Sequence, residues 1–113
     1  MDNNCVFCKI IAGQLPSKVI AETKDIIVID NIAPKTPIHY LIIPKKHIAD
    51  INSLKQDDVI LVGEMVMMAK KLSEDLSGSQ DFRLSVNNGL DAGQSVFHLH
   101  IHFLAGQKFF DHV

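Results

Sequence analysis

The sequence predicts an α+β fold in which a five-stranded antiparallel sheet is covered on one face by a long helix. Five short segments are rich in β-branched or alternating apolar residues, at positions 19–22, 26–29, 38–43, 82–87 and 95–104. One long stretch, residues 54–76, has the apolar spacing of a helix. Because the strands are joined mainly by local connections, we expect a single domain over residues 1–113.

The remaining elements follow from turn signals between these segments. Residues 9–12, closed by Gly13, predict a short helix, and the strands at 19–22 and 26–29 then form a hairpin. A loop with two prolines, residues 30–37, leads to the third strand, which Pro44 ends. Ser53 and Gln56 form a capping-box pattern at the start of the long helix.

The long helix has two overlapping apolar stripes. They contain Val59, Val62, Val66 and Ala69 in one, and Leu61, Met65, Met68 and Leu72 in the other. Since one stripe is enough to cover a sheet, the second indicates another partner, and we expect a homodimer. Burial of both stripes of the helix within a single domain would also explain the second stripe.

The composition argues against two classes of partner. Eleven Lys and Arg residues against 13 Asp and Glu residues leave a net charge of −2, without the basic excess typical of nucleic-acid binding. The N-terminus is acidic and polar, and no apolar run approaches 18 residues. We therefore expect a cytoplasmic protein that binds neither nucleic acid nor a membrane.

Three histidines, His98, His100 and His102, alternate with apolar residues in the last predicted strand. A period of two places them on one face of a strand, although a solvent-facing polar stripe would give the same pattern. Residues two positions apart on a strand, such as His98 and His100, lie roughly 6.6 to 7 Å apart, and His98 and His102 lie about twice as far apart. One metal ion can therefore bind His98 and His100 far more easily than it can bind His98 and His102. We therefore expect the three histidines to have different roles.

Two cysteines, Cys5 and Cys8, have the spacing of a metal half-site or a redox pair. A thioredoxin-like motif would follow a strand, and no predicted strand precedes them. A tetrahedral zinc needs two more ligands, for which the chain offers histidines at positions 39, 47, 98, 100, 102 and 112. The alternative is that Cys5 and Cys8 bind no metal and are simply two small buried residues on a helical turn.

A turn-rich loop, residues 88–94, leads to Ser95 just before the histidines. Gly93 allows close backbone approach, and the N–H groups of Gln94 and Ser95 with the Ser95 hydroxyl suit one oxygen of a phosphate. A neutral imidazole whose Nδ1–H is held by a carbonyl can attack phosphorus through Nε2 without a metal. His39 faces the same side as Leu41 and Ile43, as either a core histidine or a site residue.

Residues 98–104 resemble the histidine-triad motif of the HIT superfamily, and the segments 5–11, 42–47 and 92–98 resemble its Hint branch in order and spacing. This branch comprises purine nucleoside phosphoramidases, and the resemblance covers nearly the whole chain. It implies a HIT fold and a homodimer with strands and helices at the interface.

The resemblance also implies roles for individual residues. His100 matches the nucleophile that forms a nucleotidyl-histidine intermediate, which water then hydrolyses. His102 and Ser95 match phosphate contacts, and Ser95 also matches a donor to the leaving amine. The backbone turn of Gly93 and Gln94 matches a further phosphate contact.

Other matches concern the surroundings of the triad. Asn87 corresponds to an asparagine of the nucleotide site, and His39 to a histidine that supports the triad. Bacterial members with the Cys-x-x-Cys motif bind one structural zinc, and the matching ligands here are Cys5, Cys8, His47 and His98. No organic cofactor is implied.

Two positions depart from the Hint pattern. Asn31 stands where an aspartate usually holds both ribose hydroxyls, and Asp30 lies one residue earlier. An amide cannot accept two strong hydrogen bonds as a carboxylate does. Ile32 is expected to contact the base, with Ile10 and Phe7 nearby. The C-terminal residues 107–113 lack the tryptophan of some Hint proteins, which leaves the leaving group open.

Together these patterns predict a hydrolase that cleaves P–N bonds of purine nucleoside monophosphates, such as adenosine phosphoramidate or AMP-lysine. One alternative is a dinucleoside polyphosphate hydrolase of the Fhit type, and another is a nucleotide-binding regulatory module with little turnover. A third is a metallohydrolase that holds a catalytic zinc through His98, His100 and another histidine.

Overall fold

The computed structural model describes residues 4–111, so the candidate ligand His112 lies outside the described residues. Five strands, β1 (Val19–Glu22), β2 (Ile26–Asp30), β3 (Ile38–Pro44), β4 (Phe82–Ser85) and β5 (Ile101–Ala105), accompany two α-helices, α1 (Val6–Ile11) and α2 (Val59–Glu74). The strands form one antiparallel sheet in the order β1-β2-β3-β5-β4. The predicted five-stranded sheet with one long helix and a short N-terminal helix is confirmed.

The short N-terminal helix begins earlier than the predicted residues 9–12 because a cysteine caps it. Cys5 is the N-cap of α1, and its Sγ accepts a hydrogen bond from the Cys8 N–H at 3.3 Å. This bond satisfies one of the free N–H groups at the helix start, so the helical turn contains Cys8 itself. The two cysteines are thereby held on one end of α1.

The long helix begins at Val59, and the predicted start near residue 54 is wrong. Two short 3-10 helices, Ile51–Ser53 and Gln56–Asp58, precede it. Ser53 does not cap α2; instead its N–H donates to Asp50 Oδ1 at 2.9 Å. Asp58 accepts the Lys55 N–H at 2.9 Å and pairs with Lys46 at 2.6 Å, and these contacts fix the turn that enters α2.

The histidine strand is shorter than the predicted residues 95–104. The Leu99 N–H donates to the Ile48 carbonyl at 2.6 Å, outside the sheet, and the strand β5 starts only at Ile101. His98 and His100 therefore precede the ladder, and only His102 lies within it. The three imidazoles therefore do not lie on one continuous strand, although Phe7 of α1 contacts His98 and His100 and lines a cavity with His102.

The two faces of the sheet have different neighbours. Val28, Ile42 and Phe103 lie in one core cluster with Met65 and Met68 of α2. Residues of the opposite face, among them Ile27, Ile29, Leu41 and Ile43, cluster with Phe7 and Cys8 of α1. Because α1 is only six residues long, it covers part of this second face and leaves room beside it for a site.

The helix α2 packs one of its two apolar stripes on the sheet. Met65, Met68 and Leu72 are buried there, whereas Val59 and Val66 of the other stripe are 58% and 50% exposed. Among the described residues, no helix has both the length and the apolar character needed to cross a membrane. The exposed stripe is the feature that the homodimer prediction has to explain.

We expect two copies to cover this exposed stripe of α2, since burying apolar surface stabilises association by about 25 cal/mol per Å². Static light scattering at micromolar concentration should give about twice the 12.6 kDa chain mass. The variant Val66→Lys should shift the mass towards that of one chain, whereas Lys70→Gln, beside it on the exposed surface, should not. A wild-type mass of one chain would contradict the expectation.

Candidate active site and zinc centre

Four ligand atoms converge where α1 meets the segments before and after α2. The Sγ atoms of Cys5 and Cys8 and the Nδ1 atoms of His47 and His98 all lie within 4.8 Å of one another. The two Nδ1 atoms lie 3.1 Å apart. Cys8 Sγ lies 3.2 Å from His47 Nδ1 and 3.6 Å from His98 Nδ1. A tetrahedral zinc separates its sulfur and nitrogen ligands by roughly 3.3 to 3.8 Å, so the four residues fit this ion.

The hydrogen bonds of His98 prepare it as a ligand. Its ring is 0% exposed, and its Nε2 lies 2.7 Å from the Pro44 carbonyl. A carbonyl only accepts, so Nε2 carries the proton and Nδ1 presents its lone pair towards the cysteines. Both cysteines are buried and neither is in a disulfide, and His47 is the exposed member of the group. The zinc ligands predicted from the sequence are thus brought together.

His100 is oriented by the backbone of His98. Its Nδ1 lies 2.7 Å from the His98 carbonyl, so Nδ1–H donates and Nε2 retains its lone pair. The ring of Phe7 packs edge-on against the His100 ring, with centroids 5.1 Å apart. The imidazole is therefore fixed in one tautomer and one orientation, and His100 is among the residues that line a cavity.

A chain of hydrogen bonds fixes the tautomer of His102. The Lys35 N–H donates to His39 Nδ1 at 3.0 Å, so a neutral His39 carries its proton on Nε2. That Nε2 lies 2.8 Å from His102 Nδ1, which accepts. His102 therefore has its own proton on Nε2, where it can donate to an anion. The expected supporting role of His39 agrees with this contact.

Burial keeps these rings neutral. Desolvation lowers the pKa of His100, and desolvation together with the neighbouring His100 and His39 lowers the pKa of His102 to about 4. The pKa of His39 is lowered by burial and by the Lys35 ammonium. Near pH 7 the pair His100 and His102 thus offers one lone pair and one N–H donor rather than two cations.

A cavity of about 480 Å³ opens beside these two histidines. Ser95, Asn31 and Ile32 line it, as do Phe7 and Ile10 of α1. Ile32 is 100% exposed, an apolar side chain at the rim with space for a planar partner. Five of the eight predicted nucleotide-site residues therefore line one cavity: Asn31, Ile32, Ser95, His100 and His102.

The loop before Ser95 is held by its own contacts. Gly93 has φ +93°, a left-handed conformation that favours glycine. The Gln94 side chain is buried, and it accepts from the Gly89 N–H and donates to the Ala49 and Val96 carbonyls. The Gln94 N–H also donates within the loop, at 3.1 Å to the Gly89 carbonyl. The Gln94 N–H is thus engaged within the loop, and Ser95 is the residue of this turn that lines the cavity.

Three predicted residues, Asn87, Gly93 and Gln94, do not line the main cavity, whereas Asn31 does. The Asn87 amide donates to the Ala92 carbonyl at 3.0 Å, and Asn87 lines a second, neighbouring cavity. Asn31 accepts the Ala33 N–H at 2.9 Å through Oδ1, and its amide nitrogen lies 3.2 Å from His39 Nε2.

The sequence reasoning missed part of the cavity wall. Leu15 and Pro16, which lie between α1 and β1, line the cavity together with Val96. These apolar residues belong to no sequence motif, so no pattern in the sequence predicts that they line the cavity. The burial pattern of β2 and β3 could have placed Ile29 and Leu41 at the cavity floor, because they lie on the same face as His39.

We expect about one zinc per chain in the purified protein, and loss of most of it in Cys5→Ser and Cys8→Ser, since a hydroxyl is a poor zinc ligand. Metal analysis by mass spectrometry and thermal unfolding would measure both content and stability. The variants should unfold at lower temperature, because bound metal contributes folding free energy. Equal metal in all three proteins would reject the site.

Acidification is expected to weaken the fold partly through His102. The unfolded chain binds a proton near pH 6.5, whereas folded His102 stays neutral down to about pH 4. This contribution to stability is complete above pH 6.5 and is lost as the pH falls towards 4. Urea midpoints at pH 7 and pH 5 should therefore fall less for His102→Asn than for the wild type, and an equal fall would contradict the assignment.

Comparison with known proteins places this geometry in a family. A family model described as "Scavenger mRNA decapping enzyme C-term binding" matches residues 4–110. An uncharacterized HIT-like protein of Synechocystis is 36% identical over 109 residues, which span 96% of both chains.

Two solved structures extend the comparison. A HIT family hydrolase from Clostridium thermocellum is 40% identical, with a TM-score of 0.94 over 100% of this chain and 99% of that one. A zinc-bound histidine triad family protein from Mycobacterium smegmatis is 29% identical, with a TM-score of 0.78 over 92% of this chain and 76% of that one. Its zinc agrees with the cluster of two cysteines and two histidines found here. This chain belongs to the histidine triad (HIT) family.

Proposed function

We propose that this protein hydrolyses the P–N bond of purine nucleoside phosphoramidates, such as adenosine 5′-phosphoramidate or AMP-lysine. The observation that carries the proposal is the hydrogen bond from His100 Nδ1 to the His98 carbonyl, 2.7 Å long, which leaves Nε2 as a nucleophile beside the cavity. The HIT family hydrolase from Clostridium thermocellum supports hydrolysis as the reaction class.

The reaction proceeds in two displacements at phosphorus. In the first, the lone pair of His100 Nε2 forms a bond to phosphorus while the P–N bond breaks, and the leaving nitrogen takes a proton and departs as an amine. The Ser95 hydroxyl, in the same cavity, is the donor for this proton. In the second, water attacks phosphorus and gives a proton back to the Ser95 oxygen, the P–Nε2 bond breaks, and the nucleoside monophosphate leaves.

Fixed donors stabilise the charge that develops on the phosphoryl oxygens. His102 Nε2–H is held towards the site by the chain that begins at the Lys35 N–H. The N–H group of Ser95 adds a second donor from the loop. Because both donors are positioned before the substrate binds, little reorganisation is needed in the transition state.

The nucleoside occupies the apolar part of the same cavity. Ile32 covers one side of the base, and Phe7 and Ile10 lie on the other side of the cavity. Asp30 and Asn31 lie at the ribose end, and the amide of Asn31 already contacts Ala33 and His39. We infer a purine site in which the base is held by apolar contact.

A metallohydrolase is the weaker alternative. His98 belongs to the zinc cluster through Nδ1, whereas Nδ1 of His100 is used by a backbone carbonyl. The two histidines therefore do not present nitrogens to one ion in this geometry. Cys5, Cys8, His47 and His98 complete a tetrahedral set, which is typical of structural zinc without an open position. A cytoplasmic location suits this set, because thiolates stay reduced there.

Replacing His100 by Asn is expected to lower turnover of adenosine phosphoramidate at least about a thousandfold, since the covalent step is lost. AMP binding, measured by calorimetry, should change little. Intact-protein mass spectrometry after rapid, acid-free quenching should show a transient AMP adduct on the wild type and none on His100→Asn. Full activity of the variant, or a persistent absence of the adduct, would contradict the role of His100.

The ribose contact is expected to be weak because Asn31 offers one acceptor oxygen that the Ala33 N–H already uses. AMP and 2′-deoxy-AMP should therefore bind the wild type within about threefold of each other. Asn31→Asp, with a second acceptor oxygen, should widen this ratio in favour of AMP. A large preference of the wild type for AMP, unchanged by the substitution, would contradict the assignment.

A further inference from the structure

The loop that precedes the histidines, residues 88–95, has one buried side chain, and that side chain is polar. Gln94 is 4% exposed, whereas every other residue of this loop is half-buried or exposed. Burying an amide costs free energy unless hydrogen bonds inside the protein replace those to water. The partners of the Gln94 amide therefore decide whether it destabilises the loop or holds it together.

Both ends of the Gln94 amide have partners. Nε2 donates to the Ala49 carbonyl at 2.8 Å and to the Val96 carbonyl at 3.0 Å, and Oε1 accepts the Gly89 N–H at 2.8 Å. Two carbonyls at one end and an N–H group at the other fix which end of the amide is the nitrogen. A carboxylate of the same shape could accept from Gly89, but it has no proton for either carbonyl. This position therefore requires an amide.

These hydrogen bonds close the loop around Ser95. Gly89 and Gln94 are joined twice, because the Gln94 N–H also donates to the Gly89 carbonyl at 3.1 Å. The bond from Gln94 Nε2 to the Val96 carbonyl spans Ser95, which is the residue between them. Ser95 thus lies between two residues that are tied to each other, and it lines the cavity together with His100.

One short segment, residues 48–49, holds both this loop and the backbone before His100. The Ala49 carbonyl accepts from Gln94, and the adjacent Ile48 carbonyl accepts the Leu99 N–H at 2.6 Å. Leu99 directly precedes His100 in the chain. Because the two bonds end on adjacent carbonyls, they fix the place of the loop relative to His100, and Gln94 provides the bond on the side of the loop.

We propose that Gln94 is a positioning residue for the proton transfer to the leaving amine, because its side chain holds Ser95 in place relative to His100. This rests on the proposed function, in which the Ser95 hydroxyl donates that proton. A proton donor must lie within hydrogen-bond reach of the leaving nitrogen, and a misplacement of about 1 Å can lower the rate about a hundredfold. Gln94 itself does not line the cavity, so it acts through Ser95 rather than on the substrate.

The test compares two substrates whose leaving amines differ in basicity. Adenosine 5′-phosphoramidates of benzylamine and of 4-nitroaniline are cleaved in single turnovers, and release of the amine is followed so that the later attack of water does not enter the rate. Benzylamine needs a proton in order to leave, whereas the weakly basic 4-nitroaniline leaves with little help from an acid.

The proteins compared are the wild type, Gln94→Glu, Ser95→Ala and the double variant. Gln94→Glu retains the acceptor for the Gly89 N–H and loses both donors. Gln94→Met, which is similar in size and uncharged, is assayed beside it, so that the result does not depend on one variant folding. Gln80→Glu is the matched control, because Gln80 is an exposed amide between α2 and β4.

We expect Gln94→Glu and Gln94→Met to slow the benzylamine substrate at least about tenfold and the 4-nitroaniline substrate less than about threefold. In the Ser95→Ala background, either change at Gln94 should add less than about twofold, since the group through which Gln94 acts is absent. Gln80→Glu should leave both rates unchanged. Calorimetry should give the same AMP affinity for the wild type and the Gln94 variants within about threefold.

A purely structural role of Gln94 predicts a different result. It would slow both substrates equally and would add to the effect of Ser95→Ala, and either observation would overturn the proposal while leaving P–N hydrolysis intact. Equal rates of the wild type and Ser95→Ala for the benzylamine substrate would remove the proton donor, and with it the role of Gln94. Release of neither amine by the wild type would contradict the proposed function itself.

Discussion

The site depends on the two functions of His98. Its ring is buried among the zinc ligands, and its backbone carbonyl accepts the proton of His100 Nδ1 at 2.7 Å. The Pro44 carbonyl fixes the ring by accepting from Nε2. Because the ring and the carbonyl both belong to His98, contacts that fix the ring also fix the carbonyl that keeps the proton of His100 on Nδ1. A metal ion held by these four residues would therefore also position His100 Nε2 for the proposed attack on phosphorus, although none of the four lines the cavity.

The two faces of the sheet have different roles: one packs the apolar core, and the other carries the histidines of the candidate site. The face towards α2 is closed by large apolar side chains such as Phe103 and Met65, both almost fully buried. The opposite face carries His39 and His102, with α1 covering only the end near the cysteines. Since neighbouring residues of a strand alternate between faces, Phe103 can anchor β5 in the core while His102 points into the site. A short α1 is what leaves that space open.

The fold and the Cys-x-x-Cys half-site could be predicted from spacing, whereas the choice of His47 and His98 among six histidines depended on the resemblance to the HIT superfamily. Alternating apolar residues gave the five strands, and the Cys-x-x-Cys motif required two histidine partners. The start of α2 was missed because Asp50 and Asp58, rather than Ser53, supply the oxygens that organise the chain before it. The departure of His98 from the strand was missed because the Leu99–Ile48 hydrogen bond joins distant segments. The second cavity likewise requires Lys35 and Ser85 to meet in space, which no local pattern indicates.

The low basicity of the histidines has a chemical consequence for how phosphate is held. A protonated His100 would have no lone pair and could not attack, so the site cannot gain phosphate affinity by becoming cationic. Burial lowers the pKa of both His100 and His102. It thereby keeps the lone pair of His100 available for attack, at the expense of the attraction that a cationic ring would have for phosphate. The negative charge must then be met by N–H dipoles at fixed positions, which explains why His102 is locked by His39 and why His39 is locked by the Lys35 backbone. The Lys35 ammonium adds to this neutrality, because it lowers the pKa of His39.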